Sequence, residues 1–287
     1  MLIDFFHLNP EVTEIESEEE LLDHFKRSDQ LKNVIYRPDK LAPTRPLNRF
    51  SNYKFENVSF SKTVIKEVIF IACEFKDCLF IGTTFLKCEF HRCKFNGCNL
   101  HKIIFKDTYI NPNVFAKLLD HRKHSNIGVH LFHQLNVNSL NTYQRDFAIT
   151  AEFFFRKWKR YQLTYEWKNG ELGFLSFFKQ WLPNILYYLL AGYGLRAKFF
   201  AKWTIILVSI VVFINYYFWN VFTIIGKEGK NGLIEAFYFT IITLTTVGYG
   251  DLVPASNIGM FVIGLEAILG IVWLGVFASM IIRRLVR

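Results

Sequence analysis

A five-residue repeat is the feature that most limits what this chain can fold into. Counting in steps of five from Phe50 to Ile110 gives thirteen positions, and ten of them are Phe in a chain of 287 residues with 31 Phe. The positions are Phe50, Phe55, Phe60, Ile65, Phe70, Phe75, Phe80, Phe85, Phe90, Phe95, Leu100, Phe105 and Ile110. A period of five matches neither a helix nor a strand. It predicts stacked units that each bury a face against their neighbours.

A second series, two residues before each of these centres, contains all five cysteines of the chain. They lie in the stretch CEFKDCLFIGTTFLKCEFHRCKFNGCNL and are Cys73, Cys78, Cys88, Cys93 and Cys98. Zinc sites favour closer cysteine pairs with further His or Cys partners, so this spacing does not fit them. A metal site and a disulfide stay open as alternatives. We interpret the cysteines as small apolar side chains of the core.

Residues 48–112 resemble a pentapeptide-repeat domain, in which a small residue precedes each large apolar centre by two positions. The resemblance implies a right-handed quadrilateral β-helix with both series directed into its bore. Strands spaced about 4.8 Å apart would make a stack of about three coils. Some pentapeptide-repeat proteins mimic DNA with an acidic surface, but the segment from Phe50 to Ile110 has nine Lys and Arg against six Asp and Glu.

The second half of the chain has the composition of a membrane protein. Trp203–Ile225 is a run of 23 residues without a charge, about 35 Å long as a helix and enough to cross a hydrocarbon core of about 30 Å. Ile258–Ile282 is a second such run, interrupted only by Glu266. We interpret Phe174–Leu195 as an interfacial helix, because Lys179 and Pro183 interrupt its apolar sequence.

The basic residues near these runs predict their orientation. Those before the first run include Arg156, Lys157, Lys159, Arg160, Arg196, Lys198 and Lys202, and those after the second are Arg283, Arg284 and Arg287. Between the runs there are only Lys227 and Lys230. The positive-inside rule therefore puts both termini in the cytoplasm. Charge at the membrane surface accounts for much of the net charge of +9 without a nucleic-acid partner.

The segment between the two runs contains a short apolar stretch, Gly232–Thr245, followed by the sequence TVGYGD at 246–251. This sequence closely resembles the selectivity filter of potassium channels, in which backbone carbonyls replace the hydration shell of the ion. Gly248 and Gly250 allow backbone angles that point successive carbonyls the same way. Oxygen ligands without a permanent charge suit a hard cation that must also leave.

The resemblance to two-span potassium channels covers residues 199–285 and implies passive conduction of K⁺ through a homotetramer, since one loop per chain cannot make a four-fold filter. The filter residues that it implies are Thr246, Val247, Gly248, Tyr249 and Gly250, with Asp251 at the outer mouth. Val247 and Tyr249 are expected to pack outward against the short helix. The permeant K⁺ is the only ion implied, and no cofactor is.

Three further residues of the spanning segments are weighed as candidates. Gly270 lies 24 positions after Thr246, where similar channels carry a hinge glycine, and close helix packing is an equal alternative. Glu266 is ionisable within a span, so it is a candidate for pore support, either in the vestibule or in a buried structural role behind the pore helix. Asn215 is interpreted as an interhelical residue.

Other motifs carry less weight. The histidines His121, His124, His130 and His133 suggest a metal pair by spacing, but we interpret them as part of a solvated helical connector. No span has arginine at every third position, so intrinsic voltage sensing is not expected. No nucleotide-binding fingerprint or catalytic triad is present, and we expect no enzyme.

The sequence thus predicts four parts: an N-terminal segment at 1–47, the β-helix at 48–112, a helical connector at 113–198 and the two-span pore domain at 199–287. The leading interpretation is a potassium channel whose cytoplasmic β-helix serves assembly or regulation, with an unknown cytoplasmic partner as an option. The combination resembles a bacterial family, which implies the inner membrane of a bacterium. The alternatives are a membrane-anchored pentapeptide-repeat interaction protein and, more weakly, a subunit of a potassium transporter.

Overall fold

The computed structural model describes residues 8, 11–44, 46, 48–222, 224–225 and 232–285, the side chains of 224–225 and 283–285 excepted. Lys227, Lys230 and Arg287, which entered the topology argument, lie outside these residues. The chain divides into two compact units between residues 185 and 186, and each unit is described by itself.

The first unit is built from short parallel strands. They are β1 Thr13–Ile15, β2 Gln30–Tyr36, β3 Lys40–Leu41, β4 Arg49–Ser51, β5 Lys54–Ser59, β6 Val64–Lys66, β7 Ile69–Ile71, β8 Glu74–Lys76, β9 Thr84–Leu86, β10 Glu89–His91, β11 Lys94–Asn96 and β12 Ile104–Lys106. Three sheets result, with the orders β1-β2-β5-β8-β11, β10-β7-β4 and β12-β9-β6-β3. Isolated bridges from Ser59 to Leu79 and from Leu79 to Asn99 form the fourth side. The predicted four-sided β-helix is confirmed.

The repeat centres stack in register from coil to coil. Phe55 pairs with Phe75 and Phe75 with Phe95, so one coil takes 20 residues. The rings of these pairs are nearly parallel, with centroids 4.7 and 4.8 Å apart. Ten centres are Phe because a flat ring on each side of the bore can stack on the ring of the next coil.

The cysteines occupy the bore beside these rings, as the sequence predicted. Each thiol donates a hydrogen bond to a backbone carbonyl 23 residues earlier, for example from Cys78 to Phe55 and from Cys98 to Phe75, both at 3.4 Å. Thr83 makes the same bond to Phe60 at 2.7 Å. Removal from solvent raises the pKa of the Cys88 thiol to about 12. The small residue of each repeat therefore satisfies a carbonyl as well as filling space.

The corners of the β-helix depend on a left-handed residue two positions after each centre from Phe50 to Phe105. The left-handed residues are Asn52, Asn57, Lys62, Glu67, Ala72, Asp77, Gly82, Lys87, Arg92, Gly97, Lys102 and Asp107, with φ from 51° to 66°. Most of them are not glycine, so the stacked neighbours must outweigh a cost of about 1–2 kcal/mol for each.

Both ends of the bore are covered by segments outside the five-residue repeat. Helix α1, Glu18–Arg27, places Phe25 against Phe50 and Tyr53, with centroids 4.5 and 4.9 Å apart. The strand ladder also begins earlier than residue 48, since Leu31 in β2 pairs with Phe55. At the other end Phe115 packs on Phe95 at 4.8 Å.

Helices α2, Ser125–Asn141, and α3, Arg145–Lys168, form a hairpin that continues this second cover. Asn138 of α2 closes the last coil, because its amide accepts from the Thr108 backbone at 3.0 Å and donates back at 2.7 Å. The histidine-rich segment leads into α2 and is solvated on one side only, with His121 and His133 exposed and His124 and His130 half-buried. Leu131 and Phe132 of α2 are fully buried, and Phe132 packs against Phe154 of α3.

The second unit contains the apolar helices. Helix α4, Phe174–Ala191, crosses the division between the units, and α5 Ala197–Tyr217, α6 Trp219–Phe222, α7 Leu233–Leu244 and α8 Asn257–Leu285 follow, with the two-stranded pair β13 Ile224–Ile225 and β14 Val253–Pro254. Within the part that the structure describes, α5 and residues 257–282 of α8 are long and apolar enough to cross a membrane. Helix α5 begins six residues before Trp203 and ends eight before Ile225.

Candidate functional site

The candidate site begins at the C-terminal end of α7, the short helix between the two long ones. The apolar side chains of α7 pack into a core with α5 and α6, formed by Val212, Trp219, Phe222, Ala236, Phe239 and Ile242. Helix α7 ends at Leu244, and Thr246 then takes a left-handed conformation. The C-terminal dipole of α7, which is negative, therefore lies directly before the TVGYGD sequence.

The backbone of this loop reverses its hand at every second residue. Thr246, Gly248 and Gly250 have φ of 58°, 48° and 78°. Such alternation turns successive carbonyls toward the same side. The two glycines are required by conformation rather than by space, because a Cβ atom at either position would meet nothing within 4 Å in the chain.

Hydrogen bonds attach the loop to the last turn of α7. The backbone amides of Val247 and Gly248 both donate to the Ile242 carbonyl, at 3.0 and 3.1 Å, and the Thr246 amide donates to Thr243 at 3.0 Å. At the outer end, the Tyr238 hydroxyl donates to the Asp251 carboxylate at 2.7 Å. Helix α7 therefore holds the loop at both of its ends.

Two side chains of the loop are largely uncovered by the part of the chain that the structure describes. Val247 is 51% exposed and Tyr249 is 72% exposed, so their expected packing against the short helix stays a prediction. Thr246 donates its hydroxyl hydrogen to the Thr245 carbonyl at 2.7 Å. One chain therefore presents residues 245–251 as an exposed surface.

The structure places Gly270 against the end of α7. A Cβ atom at this position would lie 2.1 Å from the Leu244 carbonyl oxygen, and α8 runs as one helix through it. Gly259 makes a similar close approach to the Phe222 carbonyl, at 2.5 Å. These contacts support the close-packing alternative for Gly270.

Glu266 lies behind the pore helix and not in an exposed vestibule. Its side chain is 6% exposed, and it accepts a hydrogen bond from the Asn215 amide at 3.1 Å. The same amide donates to the Thr240 hydroxyl at 3.0 Å. Sequence reasoning did not single out Thr240 or Tyr238, because their partners lie 25 and 13 residues away and no local pattern connects them.

Comparison with protein families matches two segments of the chain. Residues 197–287 match the sequence model of a family described as "Ion channel". Residues 73–109 match the model of pentapeptide repeats, in eight copies. The chain joins pentapeptide repeats to an ion channel domain. The ion channel domain contains α5, α7, the TVGYGD loop and α8. The matched pentapeptide repeats contain strands β8 to β12 of the β-helix, whose strands begin well before them.

Curated relatives match the chain over short segments. "Two-pore potassium channel 4" of Arabidopsis thaliana is 38% identical over 64 residues, 20% of this chain and 22% of the relative. "Inward rectifier potassium channel Kirbac3.1" of Paramagnetospirillum magnetotacticum is 40% identical over 64 residues, 22% of each chain. "Hyperpolarization-activated voltage-gated potassium channel" of Methanocaldococcus jannaschii is 52% identical over 33 residues, 12% of this chain and 16% of the relative. The chain thus spans 16–22% of the length of these three.

Proposed function

We propose that the chain forms a homotetrameric pore that conducts K⁺ passively and selectively, with residues Thr246–Gly250 of each copy as the filter. The observation that carries the proposal is the alternation of left-handed residues at 246, 248 and 250. A column of carbonyl oxygens with no permanent charge can replace the hydration shell of K⁺ without trapping it.

The exposure of the loop supports assembly from several copies. Tyr249 and Val247 carry large exposed apolar surfaces in a segment that is otherwise held tightly by the Ile242 carbonyl. Exposed apolar surface of this kind marks an interaction site. Four copies would bring four loops around one axis, and the potassium-channel names of the relatives support the same ion.

The charges support a location in a cell membrane with both termini in the cytoplasm. Arg196, Lys198 and Lys202 flank the start of α5, and Arg283 and Arg284 occur in the last turn of α8. The positive-inside rule assigns these ends to the cytoplasm. A bacterial inner membrane fits the proposal.

The first test is the reversal potential of the purified full chain in a planar bilayer with K⁺ on one side and Na⁺ on the other. We expect a potential far from zero in the K⁺-selective direction. In the Gly250→Ala variant, a side chain in the left-handed region costs about 1–2 kcal/mol in each copy, so selectivity should be lost. Gly275→Ala is the matched control, because its added Cβ meets nothing within 4 Å.

A current that reverses near zero would contradict a selective filter. A silent chain that cross-linking shows to be monomeric would favour the alternative function, in which the membrane half only anchors the β-helix to a partner. This alternative rests on the outer surface of the β-helix, which could bind a partner.

For the β-helix we propose a role in assembly or regulation. A deletion that tests it must remove residues 1–170 rather than 1–112, because Phe115 and Asn138 close the bore and would be left uncovered. We expect the shortened chain to differ in the yield of tetramers or in open probability. Equal assembly and equal currents would refute this role.

A further inference from the structure

A buried polar cluster joins three helices of the ion channel domain and lies outside the filter itself. It consists of Asn215 in α5, Thr240 in α7 and Glu266 in α8, which are 0%, 0% and 6% exposed. The Asn215 amide nitrogen donates to both partners, at 3.0 Å to Thr240 and 3.1 Å to Glu266. One side chain therefore connects both spanning helices to the pore helix.

Apolar side chains form the core that α7 shares with α5 and α6 among the described residues. Ala236, Phe239 and Ile242 pack against residues of α5 and α6 such as Val212 and Trp219. Apolar contacts are non-directional, so they tolerate small rotations and shifts of a helix along its axis. Hydrogen bonds between buried groups have narrow limits of distance and angle. The polar cluster therefore adds a directional restraint on the rotation and height of α7, beside the close contact of Gly270 with Leu244.

A movement of α7 is transmitted to the filter over a short distance along the chain. Thr240 lies six residues before Thr246, about 9 Å along the helix axis. Between them Ile242 provides the carbonyl that accepts from the amides of Val247 and Gly248. A rotation of α7 moves this carbonyl and with it the filter backbone.

The surroundings of Glu266 indicate whether its carboxyl group is charged or neutral. Its second oxygen, Oε1, has no hydrogen-bond partner among the residues that the structure describes, and neither has Oδ1 of Asn215. A carboxylate in the membrane interior with one neutral donor would be strongly unfavourable. A neutral carboxylic acid can accept the Asn215 bond at much lower cost.

We propose that Asn215, Thr240 and Glu266, with Glu266 in its neutral form, are positioning residues for ion selectivity, because they fix the pore helix and thereby the spacing of the filter carbonyls. The inference rests on the proposed function as a potassium-selective pore. The residues do not contact the ion, so their effect is expected on selectivity through the loop.

The test compares variants of the full chain in planar bilayers. Thr240→Val keeps the side-chain shape and removes the hydroxyl, and we expect the permeability of Na⁺ relative to K⁺ to rise about fivefold, the factor that one lost hydrogen bond corresponds to. Thr240→Ser should retain wild-type selectivity. Glu266→Ala should lose selectivity as Thr240→Val does. Glu266→Gln, which is neutral and of the same shape, should retain wild-type selectivity.

Thr204→Val is the matched control. Thr204 accepts a hydrogen bond from the Trp273 indole at 2.9 Å, so it also connects α5 to α8 but not to the pore helix. We expect its selectivity to equal that of the wild type. An equal loss in Thr204→Val and Thr240→Val, or no loss in an assembled Thr240→Val tetramer, would overturn the proposal. A loss of selectivity in Glu266→Gln would overturn the proposal that Glu266 is neutral.

A second measurement separates this inference from the proposed function. Hydrogen exchange of the amides of Val247 and Gly248 is measured in the full chain in detergent and needs no current. We expect exchange to be about fivefold faster in Thr240→Val and unchanged in Thr204→Val. If the wild type does not select K⁺, the proposed function fails, yet this result still decides whether the cluster positions the loop. Unchanged exchange in Thr240→Val would refute the positioning role.

Discussion

Gly270 offers a direct test of how α8 supports the pore helix. In the Gly270→Ala variant, the new methyl carbon would lie 2.1 Å from the Leu244 carbonyl oxygen and 2.7 Å from its carbonyl carbon and Cα. Carbon atoms in contact are separated by about 3.5–4.0 Å, so the helices must part by about 1 Å. Overpacking of this kind costs about 1–3 kcal/mol, and the better helix propensity of Ala returns at most about 1 kcal/mol.

The assay is the thermal midpoint of the purified full chain in detergent, followed by the loss of the assembled species in size-exclusion chromatography. A net cost of about 1–2 kcal/mol corresponds to a midpoint lower by about 2–8 °C. Gly264→Ala and Gly275→Ala are controls on the same helix, because neither added Cβ meets an atom within 4 Å. These controls should be as stable as the wild type or slightly more stable.

The alternative for Gly270 is a hinge, and the same variants distinguish the two. A hinge glycine acts when the helix bends, so its replacement by Ala would leave the stability of the straight α8 unchanged or raise it and would alter the open probability. If Gly270→Ala is as stable as Gly275→Ala, the packing argument is wrong. If it is destabilised as calculated, contact with the end of α7 is the main reason for a glycine here.

Three further predictions concern the first unit. Phe75→Ala should cost about 3–5 kcal/mol and speed amide exchange in the strands by about two to almost four orders of magnitude, because Phe75 is 1% exposed between two stacked rings. Phe174→Ala, at a 63% exposed position, should leave this exchange unchanged. Desolvation lowers the pKa of His101 and His130 from 6.5, so the unfolded chain binds more protons than the folded one at acidic pH. The thermal midpoint should therefore fall as the pH drops below 6.5, and His130→Gln should reduce this fall. A midpoint that does not change with pH would contradict the reasoning. Burial raises the pKa of Cys88 to about 12, so a maleimide at neutral pH should label it only after denaturation, and rapid labelling of the folded chain would refute the bore position.

The parts of the fold that the sequence predicted are those with a local pattern. The period of five identified the strands, the bore and the place of every cysteine, since each coil repeats the same environment. The covers of the bore have no such period. Phe25, Phe115 and Asn138 act through contacts with distant coils, so neither the earlier start of the stack at β2 nor the role of the α2–α3 hairpin could be derived from spacing.

The ion channel domain shows the same contrast. The loop could be predicted from a local pattern, whereas the residues that hold it in place could not. The TVGYGD sequence specifies much of its own backbone, because glycine is needed at two of the positions where φ is positive, and the loop could be identified from these six residues. The bounds of α5 could not, because Lys198 and Lys202 lie inside the helix, where their long side chains can extend to the surface. The Asn215–Thr240–Glu266 cluster draws on three elements separated by up to 51 residues, and only the packed structure brings them together.

The TVGYGD loop is restrained on one side by its own chain and exposed on the other. Behind it, the Ile242 carbonyl holds two amides and Tyr238 holds Asp251, while Val247 and Tyr249 are exposed. Thr246 carries the cost of a left-handed β-branched residue, which persists only where surrounding contacts outweigh it. The supports within the chain therefore set the height and direction of the carbonyls, and contacts with the other copies of the proposed tetramer must set the width of the ring. Variants of the buried cluster should consequently alter selectivity in an intact assembly, whereas variants of Val247 or Tyr249 should alter assembly and selectivity together.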